Sequence, residues 1–149
     1  MAMEPARRPH PRFNHVAISV PAELLDEAGR RALLDFYSDV FGWDEMPTLT
    51  KDRELFVLRC WSHEQFVYLA AAKDPLRCPS TDHFGLSVET PEELDAMLER
   101  ARKRRERDAE VEIVERGLED YGFLKLHNFY LRYRLPLMIE VQCFEWIRQ

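Results

Sequence analysis

Two histidines and one glutamate are the residues whose types and places in this 149-residue chain could do chemistry together. His15 heads the run His15-Val-Ala-Ile-Ser-Val20, and His83 heads the near-copy His83-Phe-Gly-Leu-Ser-Val88. Glu140 interrupts the apolar stretch Leu137-Met-Ile-Glu-Val-Gln-Cys-Phe144. Two imidazoles and a carboxylate on three strands can form a 2-His-1-carboxylate centre, which grips a divalent cation on one side and leaves its other positions open. Such a cation could polarise a substrate oxygen, acidify a hydroxyl or, as iron, bind dioxygen. Imidazole and carboxylate suit Fe(II), Mn(II) and Zn(II) alike, so the ligand types leave the metal undistinguished. A carboxylate among apolar neighbours also needs a cation, a hydrogen-bond network or a wet cavity, because an unpaired buried charge is costly. Taken singly, each residue reads as a satisfied strand-end histidine or a surface glutamate; the repeat joins them.

These residues must be positioned by strands. Alternation puts Val16, Ile18 and Val20 on one face with His15, Ala17 and Ser19 on the other, and His83, Gly85 and Ser87 repeat the pattern. The small side chains beside each histidine leave room for a ligand. From Pro21 to Phe41 the apolar residues recur at helical spacing up to Gly42. Strand-like runs then follow at Trp43–Leu49, Leu55–Trp61 and Gln65–Ala71. After a two-proline connector at residues 73–81 the order repeats: a strand from His83, then a helix capped by Thr90-Pro-Glu-Glu93 and running to about Asp108. Three strands fit Glu110–Arg116, Phe123–Tyr133 and Leu137–Trp146, with Gly117, Gly122 and Pro136 at the breaks. The chain thus reads as an α+β protein of two tandem βαβββ modules, about 12–72 and 82–146, in one domain spanning 12–149 after a flexible arm at 1–11.

Composition limits the function classes. A net charge of −6 argues against a general nucleic-acid binder, which needs cations to displace phosphate counterions. The run Arg102-Lys103-Arg104-Arg105 ends a helix, where cations suit the dipole, and reads as a solvated face. No apolar stretch reaches the roughly 20 residues that span a bilayer, and the first residues have no apolar signal core, so a cytoplasmic protein without a membrane partner is expected. Cys60, Cys78 and Cys143 have no C-x-x-C spacing and read as reduced structural thiols. Trp43, Phe56, Tyr68 and Tyr130 could line a pocket for a planar ligand or pack the core. Arg132 and Arg134 could meet an anionic substrate or carry surface charge, while His63 and His127 read as solvated.

The chain resembles the vicinal oxygen chelate superfamily of glyoxalases, bleomycin-resistance proteins and extradiol dioxygenases from about Phe13 to Phe144. The resemblance rests on the two histidine strands, on Phe36-Tyr-Ser-Asp-Val-Phe-Gly-Trp43, and on Phe129-Tyr130 ahead of Ile139-Glu-Val-Gln142. It implies cupped mixed sheets with helices outside and metal ligands on the first and last strands of each module, onto which His15, His83 and Glu140 fall. The fourth such position is near Tyr68, where there is no carboxylate, as in the three-ligand dioxygenase type. Dioxygenase-like members carry a tyrosine about ten residues before the ligand glutamate, which gives Tyr130 a catalytic role beside the metal. The resemblance further implies a divalent-metal-dependent enzyme of glyoxalase or dioxygenase type acting on a small, oxygen-bearing substrate, and a homodimer. The alternative it leaves open is non-catalytic binding of a small molecule or drug.

Overall fold

The computed structural model describes residues 10–147, so most of the arm expected at 1–11 lies outside the described residues. The first module is β1 (His15–Val20), α1 (Glu27–Phe41), β2 (Asp44–Glu45), β3 (Leu55–Arg59) and β4 (Phe66–Ala71). The second is β5 (His83–Val88), α2 (Pro91–Arg107), β6 (Val111–Asp120), β7 (Leu124–Tyr133) and β8 (Met138–Trp146). Each module forms a four-stranded mixed sheet, in the orders β1-β4-β3-β2 and β5-β8-β7-β6, and the first strand of each lies parallel to the last. Two tandem βαβββ modules in an α+β fold are what the duplicated pattern predicts.

Local chemistry explains the boundaries. Pro21 leads into a single 3₁₀ turn, Ala22–Leu25, and α1 starts only after Asp26, whose carboxylate accepts from the Gly29 N–H at 2.8 Å. Gly42, at φ 74°, closes α1 in the left-handed conformation. Thr90 caps α2 by accepting from the Glu93 N–H, and Glu93 in turn accepts from the Glu89 N–H. The strand expected at Trp43–Leu49 shrinks to two residues. Pro47 has no N–H for a ladder and opens a short turn, and Trp43 is drawn into the core, its ring 5.1 Å from Tyr37 and 5.2 Å from Phe41. Nor is Gly117 a break: β6 runs through it to Asp120, with a bulge between Val114 and Gly117.

Both sheets bury one face against their helices, and the two halves share one core. Tyr37 of α1 joins them. Its fully buried hydroxyl donates to the Tyr133 carbonyl at 2.9 Å and accepts from the Tyr133 N–H at 3.3 Å. In the basic run of α2, Arg104 reaches across the modules to Asp35 and Asp39 of α1, while Arg102 and Arg105 hold Glu115 of β6 within the second module. Among the described residues no helix is long and apolar enough to cross a membrane.

The three cysteines are free thiols. Burial pushes the Cys60 thiol up to about 12 and the Tyr133 phenol up to about 12, and it raises Tyr37 further still. All three are acids that hold their protons longer folded than unfolded, so the unfolded chain releases protons first as the pH rises. Their contribution is complete below the ordinary thiol and phenol values, about 8.5 and 10, and is lost as the pH climbs towards 12. The urea midpoint should therefore stay level from neutral pH to about 8.5 and fall steadily above it. A midpoint unchanged at pH 11 would contradict this.

Candidate functional site

The face of each sheet that turns away from the helices carries the expected site residues. On the second sheet, Glu140 lies between Gly85 of β5 and Tyr130 of β7 in register. Gly85 has no side chain to fill the space beside Glu140, and His83, two residues earlier on the same face, reaches it: His83 Nε2 stands 3.2 Å from Glu140 Oε2. Glu140 is only 6% exposed, while the His83 side chain is 37% exposed at the mouth of the site. Tyr130 meets the His83 ring edge to face, with centroids 5.2 Å apart. Burial and the neighbouring Glu140 carboxylate push the Tyr130 phenol above its ordinary value, so it is held protonated as a hydrogen-bond donor.

The His83–Glu140 contact has an informative polarity. His83 Nδ1 lies 2.9 Å from the Thr81 carbonyl oxygen, which can only accept, so Nδ1 carries the proton. A neutral His83 then turns the bare lone pair of Nε2 towards a carboxylate oxygen. Two acceptors facing one another call for a positive species between them, a proton or a metal cation. A separation of 3.2 Å is one that two atoms each about 2.0–2.2 Å from a common ion can have, so this pair fits a divalent metal. His15 is prepared in the same way: its Nδ1 donates to Asn14 Oδ1 at 2.7 Å, and its ring stacks on Phe66 at 4.9 Å, leaving Nε2 bare. Histidine ligands commonly have their second nitrogen anchored by an oxygen in this fashion.

His15 itself stands apart. It is exposed on β1, an edge strand of the first sheet, and with His83 it lines a groove of about 650 Å³ that Trp61, Phe66 and Phe84 also line. Among the described residues no group of three or more His, Cys, Asp or Glu side chains is placed to hold one ion. Of the expected trio, the fold therefore brings His83 and Glu140 together and leaves His15 separate.

The remaining candidates divide clearly. Tyr68 is half-buried opposite Ala17 and Val57, on the face that carries His15. Trp43 and Phe56 belong to the core and not to a pocket, being 2% and 0% exposed. Arg132 is held by Glu112 at 2.5 Å and Arg134 by Glu110 at 2.5 Å, so neither is free for an anion. His63 is exposed in its turn as expected, but His127 is buried. It faces the α2 side, where Arg116 donates to its Nδ1 at 2.6 Å and its Nε2 donates to Glu145 at 2.6 Å. A charged pair on its flanks is what lets an imidazole sit there.

Sequence reasoning missed Asn128, whose Nδ2 donates to Glu140 Oε1 at 3.0 Å. The signal was present in the alternation, since Asn128 lies two residues before Tyr130 on the same face. Farther along that face Phe144 and Trp146 continue from Glu140 and Gln142, and Phe123 and Tyr121 extend the row of rings. These four aromatic side chains are 43–63% exposed, more apolar surface than isolated exposed residues present.

No family model matches the chain, and no curated protein matches it. Its fold is nevertheless shared with solved structures. A glyoxalase/bleomycin resistance protein/dioxygenase from Alicyclobacillus acidocaldarius superposes with a TM-score of 0.62 at 17% identity, over 93% of this chain and 95% of its own. A lactoylglutathione lyase from Agrobacterium tumefaciens gives 0.61 at 19% identity, over 91% and 96%. The fosfomycin resistance protein FosX from Listeria monocytogenes gives 0.59 at 14% identity, over 90% and 93%.

Proposed function

We propose that this chain, which has the vicinal oxygen chelate fold, is a divalent-metal-dependent enzyme of the glyoxalase or dioxygenase type acting on a small, oxygen-bearing substrate. The observation that carries this reading is the bare Nε2 of His83 facing Glu140 Oε2 at 3.2 Å, two acceptors arranged to share a cation. Fe(II), Mn(II) and Zn(II) are the ions whose ligand preferences this pair meets. Once bound, the ion supplies Lewis acidity to a substrate oxygen. Tyr130 is the catalytic partner: its phenol, kept protonated beside Glu140, donates to a substrate oxygen or returns a proton to it.

A homodimer completes the site in this reading. His15, exposed with a free Nε2, serves the His83–Glu140 pair of a second copy, and the row Tyr121, Phe123, Phe144 and Trp146 supplies apolar contact between the copies. Chelator-treated protein titrated with Mn(II), Fe(II) and Zn(II) in a calorimeter should bind at least one of them and sediment at twice the chain mass. His83→Ala should lower that affinity by more than about 100-fold, since losing a ligand costs more than losing a residue that supports one. Absence of binding by the unaltered protein would overturn metal dependence and leave non-catalytic capture of a small molecule as the function.

A further inference from the structure

Glu140 has two oxygens, and the protein treats them differently. Oε2 faces His83, whereas Oε1 accepts from Asn128 Nδ2 at 3.0 Å. Asn128 can lie across the face of the sheet because of what stands opposite it on β6. The bulge between Val114 and Gly117 resets the register so that Gly117 pairs with Asn128, and a methyl group at 117 would collide with the Asn128 amide oxygen. Gly117 has no need of its conformational freedom here; it provides space.

We infer that Gly117 and Asn128 form a clamp that makes Glu140 offer a cation one oxygen only, and so selects transition ions over calcium. This rests on the metal reading above. An amide N–H engages Oε1 without cancelling the carboxylate's charge, as an arginine or lysine there would. Oε2, turned towards His83, is then the oxygen presented to a cation, and the orientation held by Asn128 favours an end-on approach. Ca(II) takes six to eight oxygens and commonly grips carboxylates through both, whereas first-row transition ions accept end-on carboxylate and imidazole together. Asn128 is thus a positioning residue that acts through Glu140, and Gly117 is the opening that admits it.

The test has a metal-free and a metal-bound arm. In metal-free protein labelled with ¹⁵N, the Asn128 side-chain amide pair, identified by its loss in Asn128→Ala, should shift on Glu140→Ala and again on Gly117→Ala. In the second arm, Co(II) and Ca(II) are titrated separately into the unaltered protein, Asn128→Ala and Gly117→Ala. Co(II) affinity should drop about 10–100-fold in both variants, the range for residues that orient a ligand, while Ca(II) affinity holds or rises. Asn128→Gln, with an amide one carbon longer, should recover part of the Co(II) affinity, which a general packing defect would not allow. Amide resonances indifferent to both substitutions overturn the clamp. Variants that keep the original preference for Co(II) over Ca(II) overturn the selectivity. A protein that shows the amide shifts yet takes up no Co(II) overturns the metal reading and the selectivity with it, and leaves the Asn128–Glu140 contact standing.

Discussion

Glu140→Gln is expected to abolish divalent metal binding while leaving the metal-free protein as stable as before or more so. The two effects have opposite signs because of how the site is wired. Asn128 presents its NH₂ to one oxygen of residue 140, which fixes the amide's carbonyl on that side and its NH₂ towards His83. That NH₂ then donates to the lone pair of a neutral His83 Nε2, so two acceptors that otherwise meet only through a shared proton or cation become a hydrogen bond contributing about 1 kcal/mol. The same NH₂ occupies the direction from which a cation would be held, so the affinity loss should exceed about 100-fold, the upper figure for residues that merely support a ligand. Calorimetric titration and thermal melting of the chelated variant measure the two quantities. A marked fall in melting temperature without metal would show that the carboxylate is a structural partner of His83 and not a waiting ligand.

The largest loss of stability from removing a single atom is expected at Tyr37→Phe. The ring stays within its stack on Trp43, so no cavity forms, but the Tyr133 N–H and C=O both lose their partner in the core between the modules. An unpaired buried donor or acceptor costs about 1–3 kcal/mol, so the pair should cost about 2–4 kcal/mol. In a domain of this length that lowers the thermal midpoint by roughly 5–15 °C. Tyr133 ends the strand that carries Asn128 and Tyr130, so local opening should begin there and show as faster amide exchange along β7. A midpoint within 2 °C of the original would mean that the Tyr37 hydroxyl is not what joins the halves.

The residues that declared the fold did so through period and punctuation. The paired histidine strands, the capping sequence before α2 and Gly42 after α1 act locally, and each is found where its chemistry calls for it. What the sequence concealed depends on partners distant along the chain. The shortening of β2 follows from Trp43 being taken into a core that both modules build, with members from Ile18 to Cys143. The burial of His127 depends on Arg116 and Glu145, which only strand register brings to its two nitrogens. Gly117 looked like punctuation because a glycine in a strand run usually is, yet its role is set by a side chain on the neighbouring strand. The candidate site was legible only in part: Glu140 announced itself as a charge in an apolar run, while Asn128, an ordinary residue for an alternating strand, did not.

The bulge in β6 has a second consequence, for how the protein behaves among copies of itself. β6 is the outermost strand of its sheet and ten residues long, the kind of open edge that can template another chain's strand and grow into fibres. Between Val114 and Gly117 the row of backbone donors and acceptors is put out of step, and the exposed carboxylates of Glu112, Glu115 and Glu119 run along it. Glu115, inside the irregularity, is held by Arg102 and Arg105 of α2, so the kink is tied to the body of the protein. The irregularity that makes room for Asn128 also denies the edge to a stray strand, and a sequence that straightened it would exchange that room for an aggregating seam.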